Sequence, residues 1–122
     1  MHRLLANLTE YIPETFVAPA LTGNLKGTHW IVASYCLECW LGTYEPLIQR
    51  AFVNADKGNT IYDVGAHVGF FALLASRLVG HTGRVYAFEP LPRNQRFLQR
   101  HVAINGISNV IALQMAVADM QG

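Results

Sequence analysis

From Thr60 onward the chain alternates short β-type runs with longer helical ones. Thr60 to Val64 (TIYDV) is rich in β-branched and aromatic residues and enters a glycine-bearing turn at Gly65, which predicts a first strand. Residues 68–79 (VGFFALLASRLV) are apolar on nearly every side and stop at Gly80, as a crossover helix packed on a sheet does. The run VYAF after Gly83-Arg84 predicts a second strand that ends at Glu89. Pro90 and Pro92 then lead into a helix over 93–104, closed by Asn105-Gly106. A third run, 110–114 (VIALQ), precedes Met115 to Asp119. Strands separated by helices of this length imply parallel pairing through right-handed crossovers, hence a Rossmann-like α/β sheet.

Ahead of that alternation the texture is irregular. Pro13, Pro19, Gly23 and Gly27 interrupt the first forty or so residues, which predicts a short helix or two with irregular connections. Leu47, Ile48, Ala51 and Phe52 fall at helical spacing, so a helix is expected over 45–56 with Pro46 in its first turn. The expected organisation is a mainly helical lead-in, residues 1–58, followed by a Rossmann-like unit, residues 59–122. Three parallel strands make half of a doubly wound sheet, so the unit reads as truncated after its third strand, the N-terminal half of a larger domain.

At 122 residues the chain is one domain's worth of protein. Charged residues make up 14% and the hydrophobic set 52%, which argues against disorder. The formal charge of +1 lacks the basic stripe that nucleic-acid binding requires. There is no long uninterrupted apolar run to span a membrane and no export signal, so a cytoplasmic protein with no membrane partner is expected. Cys36 and Cys39 (CLEC) lack the further ligands of a structural zinc site and read as two small apolar side chains; no metal is expected.

Candidate chemistry gathers at the strand ends. The first turn reads Asp63-Val64-Gly65-Ala66-His67-Val68-Gly69. Gly65 permits a positive φ and close approach of a ligand, and Gly69 lets the helix lie against the strand. Glu89 closes the second strand, where a carboxylate accepts hydrogen bonds from the hydroxyls of an adenosine ribose. Asp119 lies past the third strand, at the same sheet edge, in reach of an adenine amino group. A dinucleotide fingerprint needs glycine where Asp63 stands, because its amides surround a pyrophosphate. A carboxylate there repels a pyrophosphate and suits a cationic ligand such as S-adenosylmethionine.

The stretch IYDVGAHVGFFALLASRLVGHTGRVYAFEPLPRNQRFLQRHVAINGISNV resembles the cofactor-binding half of the FkbM-type methyltransferases, a class I S-adenosylmethionine-dependent family. Turn, acidic strand end with Pro90, and Asn105-Gly106 carry the likeness together, and LGTYEP at residues 41–46 is similar to the segment before the family's first strand. His67 departs from the family's commoner Asn. The resemblance implies S-adenosylmethionine as cofactor, with Asp63, Gly65, Ala66 and Gly69 lining its methionine side, Glu89 its ribose and Asp119 its adenine. It implies O-methylation of a hydroxyl on a small molecule or sugar, without an obligatory metal. No catalytic residue is assigned, because acceptor-binding groups belong to strands after the third.

Two other readings compete. An NAD- or FAD-linked Rossmann oxidoreductase shares the role of Glu89 but conflicts with Asp63, and a non-catalytic truncated module would bind nucleoside weakly or not at all. His29-Trp30 and Tyr44-Glu45 read as packing residues, Arg93, Arg96 and Arg100 as a solvated helix face, and Asn94 as a brace of that helix. His2, His81 and His101 have no partner pattern.

Overall fold

The computed structural model describes residues 8–52 and 54–117. Two short strands come first, β1 (Val17–Pro19) and β2 (His29–Ile31), followed by two short helices, α1 (Leu37–Leu41) and α2 (Pro46–Phe52). Then come β3 (Thr60–Val64), α3 (Phe70–Val79), β4 (Arg84–Phe88), α4 (Pro92–Ile104) and β5 (Val110–Leu113). The last three strands form one parallel sheet in the order β3-β4-β5, with Tyr62 beside Tyr86 and Tyr86 beside Ile111. The α/β Rossmann-like reading of the sequence is therefore correct.

A sheet that steps in one direction through right-handed crossovers carries both crossover helices on the same face. Ile61, Val85, Ala87, Val110 and Ala112 accordingly pack against Ala72, Ala75 and Val79 of α3 and Leu98 and Val102 of α4. The other face is bare. Tyr62 and Val64 are 66% and 60% exposed, and the Tyr62 ring stacks at 5.5 Å on Tyr86 along that face. Gly83 has no room for a side chain, since a Cβ there would lie 2.4 Å from that of Val79 and 2.7 Å from the Asn59 carbonyl.

Three boundaries differ from the sequence reading. The helix expected over 45–56 ends at Phe52, because Asn59 Oδ1 accepts the Asp56 N–H at 2.7 Å and Gly58 turns with φ of 87°. The crossover helix expected from Val68 begins at Phe70, because His67 and Gly69 take left-handed conformations, φ 57° and 106°. The lead-in, expected to be helical and irregular, also contains an antiparallel pair, with Val17 opposite Ile31 and Pro19 opposite His29.

That pair is held from outside by α4. Asn105 Oδ1 accepts the His29 N–H, and its Nδ2 donates to the His29 carbonyl, both at 2.8 Å. One helical turn earlier, His101 is fully buried, and its Nε2 accepts the Ile31 N–H at 3.1 Å while Nδ1–H donates to the Val68 carbonyl at 2.7 Å. Its ring stacks on Trp30 at 3.8 Å, 11° from parallel. His101, for which the sequence shows no partner pattern, thus ties β2 to the turn that precedes α3.

Burial drives the His101 imidazole down from 6.5 to about 4, and Arg100 adds to the shift. A base with a lowered folded value contributes stability that is complete above its unfolded value and lost as the pH falls towards the folded one. His101→Ala is expected to cost about 2–4 kcal/mol at neutral pH, from the unpaired Ile31 amide and the cavity left beside Trp30. The gap between the two chains in urea denaturation should narrow as the pH falls from 6.5 towards about 4. A gap independent of pH would mean that the ring is not held neutral.

Candidate cofactor site

A cavity of about 280 Å³ opens at the C-terminal end of β3. One wall is the turn, with Asp63, Gly65, Ala66, His67 and Val68; the opposite wall comes from the lead-in, with Tyr35, Cys39, Tyr44, Glu45, Ile48 and Phe52. Of the residues expected at a cofactor, Asp63, Gly65 and Ala66 line this space. Gly69 and Glu89 are not among its lining residues, and Asp119 lies outside the described residues.

The turn directs its amides inward. Gly65 and Ala66 both donate to the Phe88 carbonyl, at 2.8 and 2.9 Å, and His67 donates to Glu89 Oε1 at 2.7 Å. Glu89 Oε2 accepts the Leu91 N–H at 3.0 Å, so this buried carboxylate braces the turn and the entry to α4 at once. Each of its oxygens keeps a second lone pair. Gly65, at φ 73°, has nothing within 4 Å of where a Cβ would be, which leaves its outer side open. Gly69 has the opposite constraint, since a Cβ would meet the Leu98 Cδ1 at 2.7 Å.

Two polar atoms are left buried without a hydrogen-bond partner on this turn, Asp63 Oδ2 and His67 Nδ1. Burial, with the charge of Glu89 adding to it, pushes the Asp63 carboxyl up to about 6. The His67 ring packs 4.3 Å from that of Tyr35 and has its basicity lowered, chiefly by burial. Tyr35 meets Tyr44 edge-on at 5.8 Å, and Tyr44 meets Phe70 at 5.3 Å, so the aromatic wall is continuous with the core. Sequence reasoning favoured packing for Tyr44, placed Phe52 on the apolar spacing of a helix and assigned nothing to Tyr35. Their signal was weak, because aromatics lining a cavity and aromatics filling a core look alike in sequence.

The helix-face arginines are largely solvent-exposed, as expected, but they also make contacts. Arg93, Arg96 and Arg100 all lie over the Phe97 ring, at 4.9, 5.1 and 5.8 Å. Arg93 also donates to the Ser34 carbonyl, and Arg96 and Arg100 approach the Glu14 carboxylate.

Residues 63–122 match the family model described as the methyltransferase FkbM domain. The chain carries an FkbM-type methyltransferase domain. Among solved structures, a protein-L-isoaspartate O-methyltransferase is 31% identical with a TM-score of 0.56, over 59% of this chain and 24% of that one. A SAM-dependent methyltransferase from Aquifex aeolicus is 28% identical with a TM-score of 0.51, over 57% of this chain and 37% of that one. The precorrin-6y C5,15-methyltransferase from Geobacter metallireducens shares the fold at 20% identity and a TM-score of 0.55, over 66% of this chain and 42% of that one. The FkbM-type chain thus spans well under half the length of these structures. No curated protein matches it. Among its described residues no helix is long and apolar enough to cross a membrane.

A carboxylate whose folded pKa is raised contributes stability at low pH that is lost as the pH rises through the folded value. Asp63→Asn should therefore stabilise the chain at pH values above about 6, by about 1–3 kcal/mol. In thermal or urea denaturation this gain should shrink as the pH falls from about 6 towards 3.8. A destabilised variant at neutral pH would show that Asp63 has a partner it needs.

Proposed function

We propose that this FkbM-type chain is the cofactor-binding part of an S-adenosylmethionine-dependent methyltransferase that acts on a hydroxyl of a small molecule or sugar. The observation that carries the reading is the way the turn spends its hydrogen-bonding groups. A pyrophosphate is held by free N–H groups, and those of Gly65, Ala66 and His67 are taken up by Phe88 and Glu89. Asp63, whose Oδ2 is buried without a hydrogen-bond partner, and the open side of Gly65 line the cavity instead. That surface suits a ligand with an ammonium group and a sulfonium, and it disfavours a dinucleotide.

Residues 59–122 serve as the cofactor-binding half and residues 1–58 as the lead-in that closes the cavity. Asp63 accepts from the ammonium of the methionine side, against the backbone of Gly65 and Ala66, with Gly69 keeping α3 close. Glu89 offers its remaining lone pairs to the ribose, and Asp119 accepts from the adenine amino group. The bound cofactor supplies an electrophilic methyl carbon; the chain's residues hold it in place, and alignment with the acceptor provides much of the rate. The bare face of β3 and β4, with Tyr62 and Val64, suits covering helices, and the edge position of β3 among the described strands suits further strands that bring the acceptor.

Calorimetric titration of the folded chain with S-adenosylhomocysteine should give saturable binding, and NAD should give none. Asp63→Asn should weaken that binding about tenfold or more, the usual cost of losing a charged hydrogen-bond partner, while the fold gains stability. Saturable binding of NAD with none of S-adenosylhomocysteine would overturn the proposal in favour of an oxidoreductase.

A further inference from the structure

Cys36 and Cys39 bear chemistry that the cofactor reading leaves unused. Cys36 sits in extended conformation directly before α1, and the Cys39 N–H donates to its carbonyl at 3.3 Å. This spacing of one turn sets the two sulfur atoms 4.0 Å apart, both as free thiols. A disulfide needs about 2.05 Å between sulfurs, so a closure of about 2 Å separates the pair from the bond. Each residue is 1% exposed, so bulk solvent hardly reaches them. Cys39, however, forms part of the wall of the 280 Å³ cavity, so a small molecule there reaches Cys39, whose sulfur is 4.0 Å from that of Cys36.

The two thiols are chemically unequal. The hydrogen bond from Cys39 brings the Cys36 thiol down to about 7, and burial holds the Cys39 thiol up, in its protonated form. An acidic sulfur beside a protonated one is the division between an attacking and a resolving thiol. Among the described residues no third ligand joins them to make a metal site.

We propose that Cys36 and Cys39 are a modification site, at which a hydroperoxide entering the cavity converts the pair into a reversible intramolecular disulfide. The Cys36 thiolate attacks a peroxide oxygen; an S–O bond forms, the O–O bond breaks, and the leaving oxygen takes up the proton that Cys36 released. The sulfur of Cys39 then attacks the resulting sulfenic acid; an S–S bond forms, the S–O bond breaks, and hydroxide leaves with the Cys39 proton as water. Two electrons pass from the pair to the peroxide, and an added dithiol returns them. The site does not depend on which ligand the cavity takes.

The test exposes the folded chain to hydrogen peroxide, with circular dichroism to confirm the fold, followed by alkylation and intact mass measurement. The expected result is the loss of two hydrogens and of both alkylatable thiols, restored by dithiothreitol. Cys39→Ser should stop at a sulfenic acid that a dimedone probe traps, and Cys36→Ser should form none. A folded wild-type chain that keeps both thiols at peroxide doses which close the pair in the urea-unfolded chain would overturn the proposal. So would oxidation of one sulfur to sulfinic acid with no disulfide, and either result stands without the variants.

Discussion

A neutral imidazole holds the two parts of this chain in register. His101 can accept the Ile31 amide only while its Nε2 is unprotonated, and its Nδ1 proton is committed to the Val68 carbonyl. One ring therefore joins β2, from the lead-in, to the turn that lines the cavity. Trp30 covers its face, and Asn105, one turn further along α4, pins both backbone groups of His29. Tyr35 and Cys39 follow β2 by a few residues, so the position of one cavity wall relative to the other is set by α4. Arg77 secures the same arrangement from α3, donating to the Asn24 carbonyl at 2.7 Å and to the Thr28 hydroxyl at 3.0 Å.

The turn itself is held by β4. Phe88 accepts two amides of the turn with one carbonyl, and the Glu89 side chain accepts a third from the turn and a fourth from the entry to α4. A backbone conformation that includes His67 at φ 57° is uncommon for a residue with a Cβ. It persists here because its N–H is fixed by Glu89 and its ring is packed against Tyr35. Glu89 is thus a structural residue of the site before it is anything else, and a ribose would meet an acceptor already oriented by two backbone donors.

The alternation from Thr60 to Leu113 was legible because each run keeps one period and is closed by glycine or proline. The turn was legible for a related reason, since Gly65 and Gly69 both take positive φ there. The lead-in was not legible. Strands of three residues are too short to establish an alternation, and the groups that hold β2 are side chains of α4 some seventy positions later. The opposite wall of the cavity was obscured in the same way, because Tyr44 does pack in the core, against Phe70, while also facing the cavity. The partners of His101 depend on a tertiary contact that no local pattern encodes.

Asp63 is the place where folding and binding conflict. Its carboxylate lies within the field of Glu89 and loses hydration, so the folded state holds its proton more tightly than the unfolded chain does. A residue selected for stability alone would be an amide or an apolar side chain. The destabilised anion is, however, a strong acceptor for a cation, and neutralisation by such a ligand removes the penalty that the empty fold carries. Binding and stability are thereby linked through one group: the cation that satisfies Asp63 also relieves its repulsion from Glu89, and a neutral or anionic ligand does neither. Any cation preference of the site would then follow from a cost built into the fold, since the amides of the turn are spent on Phe88 and Glu89 and the Asp63 carboxylate is buried without a partner.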